Sequence, residues 1–416
     1  MLNNYQISIL ALYIVSYFTK KMEALELRTI WDQMKIHPIT GEEKSFPIGC
    51  DGMNREKFDT QIDIQINEIV RKINNKNEFG EPTYQFGTLL FYERKKASGG
   101  TRKIYLPRIK DQLIFKWLHI NLIESAKRNN ITLQTKSPLE VVKQFRKELS
   151  HYENPVVVRT DLKAFFDSVP RDRVVDLAIS LDLPKEAGEL LKVWAKKITG
   201  RPFWLTGKTS DKEVMGLPQG LSISATLAEL WGTEIERKMS AHSKVFRFVD
   251  DISFVCNSEE EANELLVCLR DIIKELGLEI SEKKTHIAYL KEGIPWLGMK
   301  HYPSEIIADE DRLEKWVKRF MFMRKEISNE FKLNPLQDKQ ALLNLFYYNV
   351  KQELKGKTSA RPQWYSIVKD QGQWKKMDQM LHAQFKILHK QLGILLSEKA
   401  KLPSIHKQMI SRNKVV

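Results

Sequence analysis

Residues 245–255 read VFRFVDDISFV, two short apolar segments that meet at Asp250-Asp251. The β-branched and aromatic residues on either side predict a β-hairpin with adjacent carboxylates at its tip. Neighbouring carboxylates repel each other unless something cationic lies between them, and a metal ion is the obvious candidate. Aspartate pairs are also common as solvated turn residues, so this pair points to chemistry only in company.

Company comes from Asp161, at the end of a short β-branched run, PVVVRTDL (155–162), that follows Asn154-Pro155 and reads as a buried strand. Taken alone, Asp161 reads as a capping or solvated residue. If its strand lies beside the hairpin, three carboxylates meet, enough to hold two Mg²⁺ ions roughly 3.5–4 Å apart. Hard cations prefer such oxygen ligands. Two metals so placed clamp the attacking and leaving oxygens of an in-line phosphoryl displacement. Between these acids lies MGLPQGLS (215–222), a Gly/Pro loop leading into a helical pattern. Glycines let backbone approach a ligand closely, although a simple turn before a helix fits the same string. Gln219 stands out because its amide both donates to and accepts from a base edge.

The chain has 416 residues and 48.7 kDa, which suits two or three packed modules. With 42% hydrophobic and 29% charged residues it resembles a globular protein, excluding wholesale disorder, collagen-like repeats and a multi-span membrane protein. Lys and Arg number 67 against 53 Asp and Glu, and the net charge of +14 suggests a polyanionic partner, nucleic acid or acidic lipid. Most of the surplus is local: residues 332–416 hold 16 basic and 5 acidic side chains. Three cysteines without zinc-ligand spacing suit a reducing cytoplasm. The apolar run at 5–18 is shorter than the roughly 20 residues of a membrane span. Lys20 and Lys21 follow that run instead of preceding it, which argues against a secretory signal, so a buried N-terminal helix is expected.

Periodicity predicts helices over 56–78, 109–128, 171–181, 185–198, 222–240 and 258–276. Strands are expected at 86–92, 101–106, 155–162, 245–255, 285–290 and near 296–302. From Asp309 the pattern is helical, with breaks at Pro335, Gly356, Pro362, Gly372 and Pro403. The fold class is therefore α+β, a sheet with helices followed by a basic helical module.

In order along the chain, GCDGM (49–53), GTRKIYLP (100–107), RTDLKAFFDSVP (159–170), GLPQGLSIS (216–224), RFVDD (247–251), LGLEISEKKT (276–285) and WLG (296–298) resemble the successive motifs of reverse transcriptases. Any one string is weak, but seven in order over roughly 49–300 make coincidence very improbable. The resemblance implies a right-hand polymerase fold: an N-terminal helical extension at 1–48, fingers at 49–150, a palm with an antiparallel sheet and helices at 151–303, and an all-helical basic thumb at 304–416. The thumb would grip phosphate backbones, and the charge map agrees.

Carried over residue by residue, the resemblance makes Asp161, Asp250 and Asp251 the catalytic metal ligands, with Leu162 adding its backbone carbonyl. The cofactor is Mg²⁺, two ions, with Mn²⁺ as the alternative. Phe166 matches an aromatic gate that clashes with a ribose 2′-hydroxyl. RNA-dependent RNA polymerases usually carry an acid at that position, whereas here Asp167 comes one residue later. Arg102 matches the fingers arginine that pairs with the incoming triphosphate, a role suited to a guanidinium. A lysine often stands two residues before it; Gly100 does so here, leaving Arg94, Lys95 or Lys96 to supply the second charge. Gln219 would lie near the nascent base pair, and Lys284 matches a lysine that neutralises the pyrophosphate leaving group.

Phe248-Val249 replaces the commoner Tyr-Ala, and Leu221-Ser222-Ile223-Ser224 departs from the Ser-Pro-Leu-Ser of group II intron enzymes. The combination is most similar to bacterial stand-alone reverse transcriptases of phage defence, including abortive-infection relatives. By resemblance, then, the expected activity is that of an RNA-directed DNA polymerase acting in antiphage defence. Its expected partners are an RNA template or non-coding RNA, the DNA product and deoxynucleoside triphosphates, with no membrane. Alternatives are a retron-type enzyme, an RNA-dependent RNA polymerase and a non-catalytic RNA-binding effector on the same scaffold. Homo-oligomerisation and the priming mode stay open.

Overall fold

The computed structural model describes residues 22–36, 49–95, 100–133, 137–196, 198–204, 211–356, 365–396 and 402–413. The helix expected at 5–18 lies outside them. Among the described residues the strands are β1 (Leu89–Lys95), β2 (Thr101–Leu106), β3 (Val156–Asp161), β4 (Thr199–Pro202), β5 (Lys212–Glu213), β6 (Phe246–Phe248), β7 (Asp251–Cys256), β8 (His286–Tyr289), β9 (Ile294–Trp296), β10 (Met299–His301) and β11 (Ile306–Ala308). Contacts divide the chain into two compact units, Met1–Thr135 with Asp161–Val245 and Val267–Lys283, and Lys136–Thr160 with Phe246–Leu266 and Lys284–Val416.

The first unit is organised on the helix Ile109–Arg128, which buries Leu113, Phe115, Trp117, Leu118 and Leu122. Apolar residues on so many sides mark a helix enclosed by others, here Ala24–Met34, Lys185–Lys196 and Ser222–Met239. Its first turn is tied down by Asp111, a fully buried carboxylate. Asp111 accepts from the Tyr84 hydroxyl at 2.7 Å, the Gly87 amide at 3.1 Å and the Arg108 guanidinium at 2.9 and 3.0 Å. Such a charge is tolerable only with partners of this kind. The sheet runs β2-β1-β4-β5, with β1 antiparallel to β2 and parallel to β4.

The second unit holds a sheet of order β6-β7-β3-β8. Val156, Val157 and Val158 are all buried, so β3 does not alternate; both of its faces are covered. The buried Ser253 hydroxyl of β7 donates to the Val158 carbonyl at 2.9 Å. The helix Pro138–Leu149, opened by a Ser137/Glu140 capping box, sets Phe145 edge-on against Phe246 and Trp296. β9, β10 and β11 form a separate antiparallel sheet.

Three long helices come next, Glu310–Leu333, Lys339–Leu354 and Gln371–Leu392, each begun by an aspartate (Asp309, Asp338, Asp370) that accepts from amides of the first turn. They enclose Trp316, Phe320, Phe346, Trp374 and Phe385. Buried Glu353 is satisfied there by the Trp316 indole at 3.0 Å and Arg319 at 2.8 Å. Among the described residues no helix is long and apolar enough to cross a membrane.

The α+β expectation holds, with local corrections. The strand expected at 86–92 forms three residues later, because Gly87 packs against Arg108 and belongs to the Asp111 network. The helix expected over 56–78 is broken at Gln61 into Arg55–Thr60 and Ile62–Asn74. The single strand near 296–302 is a hairpin, since Leu297 and Gly298 take positive φ and reverse the chain. Gly372 does not break a helix; it lies in a first turn, its amide bonded to Asp370.

Candidate active site

The expected hairpin forms, but its turn falls one residue earlier than the Asp250-Asp251 tip: Asp250 lies in the loop and Asp251 is the first residue of β7. Phe248 pairs with Asp251, leaving Val249 and Asp250 as a two-residue loop. Val249 has φ 59°, a conformation that hairpin loops of this length normally give to glycine. A β-branched residue is strained there, and such strain persists only where the surroundings impose it. Arg247, 6% exposed, donates to the Val249 carbonyl at 3.1 Å and holds the turn.

Arg159 of β3 reaches Asp251, with Nη2 at 3.3 Å from Oδ1, while Nη1 donates to the Pro295 carbonyl at 2.6 Å. One guanidinium thus joins the RTD motif, the second aspartate of the hairpin and β9, the strand leading into the WLG turn. Asp161 ends β3, two residues beyond Arg159 and so on the same strand face. Its own carbonyl accepts from the Ser281 amide at 2.7 Å, and the Lys163 amide donates to the Glu279 carbonyl at 2.8 Å. These two bonds flank the bridge between Leu162 and Ile280. In that antiparallel pattern the groups of the bridged residue itself point the other way, so the Leu162 carbonyl is directed away from Ile280.

The glycine-rich loop is pressed between two segments. A Cβ on Gly216 (φ 59°) would stand 2.3 Å from the Phe166 carbonyl oxygen, and the Leu217 amide donates to that oxygen at 2.7 Å. A Cβ on Gly220 (φ 113°) would stand 2.7 Å from the Tyr105 carbonyl, and the Tyr105 amide donates to the Gln219 carbonyl at 2.8 Å. The loop thereby links the short helix Phe165–Ser168, which carries Phe166, to β2, which carries Arg102. Phe165 is buried and Phe166 half-buried, so of the two rings Phe166 is the one open to a ligand. The Tyr105 phenol is pushed up by burial and by the Asp167 carboxylate.

On the β1–β2 ladder, Arg102 stands directly opposite Arg94, and Lys95 opposite Thr101. Of the alternatives for the second cation, Arg94 is the one set on the same face as Arg102; Lys96 lies outside the described residues. Lys284 is exposed on the short turn Glu282–Lys284, next to Thr285, whose hydroxyl lies 2.8 Å from that of Thr160.

The structure therefore gathers Phe166, Gln219 and the Arg102 strand around one loop in the first unit, and Asp250, Asp251 and Arg159 around one turn in the second. Sequence reading missed Arg159 and Tyr105. A basic residue two positions before a strand-end acid was the available signal for Arg159; no pattern marks Tyr105, whose backbone forms the link. The donors at the turn and at the end of β3 are carboxylate and carbonyl oxygens, the chemistry that suits a hard divalent cation. Among the described residues no three His, Cys, Asp or Glu side chains stand gathered as a metal cluster, so the fit rests on the donor set.

Residues 94–301 match the family profile described as reverse transcriptase (RNA-dependent DNA polymerase). No curated protein matches the sequence. Among solved structures, apo telomerase from Candida tropicalis aligns at 11% identity and TM-score 0.46, covering 82% of this chain and 67% of that one. Telomerase from Candida albicans with a TWJ fragment of telomeric RNA aligns at 12% and 0.44, covering 88% and 70%. The corresponding Candida tropicalis complex gives 12% and 0.43, covering 87% and 65%.

Proposed function

Because this chain belongs to the reverse transcriptase family, the RNA-dependent DNA polymerases, and is a nucleotidyltransferase, we propose that it extends a primer with deoxynucleotides on an RNA template at a site formed by Asp161, Asp250 and Asp251. The observation that carries this reading is the strained two-residue turn that presents Asp250 and Asp251 at the start of β7, which neighbours β3 in one sheet. Side chains aimed by an imposed backbone geometry are held ready for a ligand, not merely solvated.

The metal ligands in this reading are the three carboxylates with the Leu162 carbonyl, and Mg²⁺, or Mn²⁺, would supply the charge that activates the primer 3′-hydroxyl and stabilises the leaving oxygen. The chain's own residues orient and select. Arg102, with Arg94 beside it, binds the triphosphate; guanidinium forks match phosphate oxygens. Phe166 stands against the sugar and disfavours a 2′-hydroxyl. Gln219, its backbone tied to β2, faces the nascent base pair, and Lys284 meets the pyrophosphate.

We assign fingers to 49–150, palm to 151–303 and thumb to 304–416, with the basic C-terminal helices on the phosphate backbones. The setting we infer is cytoplasmic antiphage defence with a non-coding RNA as template, supported by the GLPQG, SATLAELW and RFVDD strings. Replacing Asp250 and Asp251 together by Ala should abolish deoxynucleotide incorporation on an RNA template while circular dichroism shows a folded chain. Retained incorporation would discard the assignment.

A further inference from the structure

In the C-terminal helical module a cavity of about 500 Å³ opens between the helix Lys339–Leu354 and the residues just after the helix Gln371–Leu392. Its far wall exists because Gly393 (φ 68°) ends the latter helix in a left-handed cap. The Ile394 amide bonds back to the His389 carbonyl, turning Ile394, Leu395 and Leu396 across the opening. The near wall is one helical stripe, Gln340, Asn344, Tyr347, Tyr348 and Lys351, spaced so that all share a face. Tyr347 is held from behind. Its ring packs on Phe385, and its hydroxyl lies 3.4 Å from Nε2 of the buried His389, whose Nδ1 is 3.2 Å from the Ile394 carbonyl. Nδ1 must therefore donate, leaving Nε2 to accept from the tyrosine.

Tyr348, by contrast, is 59% exposed and Leu395 96% exposed. The Gln340 amide nitrogen donates to the Asn344 side-chain oxygen at 3.1 Å, which leaves the Gln340 side-chain carbonyl to accept from, and the Asn344 amide N–H groups to donate to, a ligand edge. Among the described residues no acidic side chain lines the cavity; Lys351 does, and the Lys339 ammonium lies 3.9 Å from where a Gly393 Cβ would stand. A cavity lined by aliphatic side chains, an exposed aromatic ring, amide groups and a lysine, in the most basic part of the chain, is complementary to a base carried on a phosphate backbone.

We propose that this cavity takes an unstacked base of a single-stranded nucleic acid, with Tyr348 as the stacking platform, Lys351 on the adjoining phosphate and the Gln340–Asn344 pair at the base edge. The inference deepens the nucleic-acid part of the reading above and rests on it, but not on the palm chemistry. The test measures binding of the full chain, in EDTA, to fluorescent single-stranded RNA and DNA oligonucleotides and to a blunt duplex. Tyr348→Ala should weaken binding of at least one single strand about tenfold, Tyr348→Phe should stay within about twofold of the parent, and duplex binding should be unchanged. The RNA and DNA arms identify the source of the base. Unchanged single-strand binding by Tyr348→Ala, an equal loss on the duplex, or a Tyr348-dependent dimer in sedimentation without an effect on binding would each overturn the proposal. Nucleotide incorporation contributes nothing to this assay, so its failure and failure of the polymerase assignment are separable.

Discussion

Gly216 and Phe166 touch through backbone alone: a single added methyl on the glycine would lie 2.3 Å from the phenylalanine carbonyl oxygen. Backbone cannot step aside as a flexible side-chain end can. Gly216→Ala combines that overlap with a left-handed φ, two penalties of the kind that together cost about 1–3 kcal/mol. We expect a lowered midpoint of thermal unfolding and incorporation reduced at least tenfold. A variant of parental stability and activity would show that the loop need not press on the Phe166 turn.

Arg94 and Arg102 pose a complementary case, since like charges directly opposite on a ladder repel. A polyphosphate bound between them, as proposed, would convert that repulsion into binding. Arg102→Ala should raise the KM for deoxynucleotide about tenfold, and Arg94→Ala should raise it in the same direction without lowering thermal stability. Steady-state kinetics with a fixed primer–template decides the point; an unaltered KM in Arg94→Ala would remove Arg94 from the site.

For Phe166 the half-buried ring is the part under test. Phe166→Ala should raise ribonucleotide use relative to deoxynucleotide use about tenfold or more, read as the ratio of kcat/KM values. An unchanged ratio would mean that the ring only packs.

Stability should fall on mild acidification. His301 is fully buried on β10, its Nε2 lying 3.3 Å from the Trp296 carbonyl, and burial pushes its imidazole down to about 4. His119, against the Thr226 hydroxyl, is lowered by burial and by Lys116, also to about 4. Unfolding lets each return toward 6.5, so between about pH 6.5 and 4 the unfolded chain binds more protons. Stability is therefore complete above that window and declines as pH drops through it, by roughly 1.4 kcal/mol per pH unit for each histidine. Urea unfolding at pH 7, 6 and 5 should track this slope. His301→Phe should flatten it, and an equal slope in that variant would refute the role of His301.

Much of this molecule was legible in the residues themselves. The VFRFVDDISFV string predicts the hairpin, because β-branched and aromatic residues flank its turn, although the turn falls at Val249-Asp250, one residue before the expected Asp250-Asp251, and the helices at 109–128, 171–180 and 222–239 arise from their apolar spacing. The ordered motifs also carried the family resemblance, and the profile match over residues 94–301 places the chain in that family. Local pattern is enough for such features because each is settled by residues a few positions apart.

Tertiary structure decided what depends on distant partners. That Arg94 rather than Lys95 shares a face with Arg102 is a matter of strand register, which a one-residue slip would reverse. Arg159 meets Asp251 across 92 residues of sequence, and Tyr105 meets Gln219 through backbone groups that every residue carries. The Asp111 network shifts β1, and the Gly393 cap shapes the cavity beside Tyr348. No side-chain pattern encodes a backbone carbonyl's direction or a neighbour brought in from another segment; those are fixed only when the segments pack.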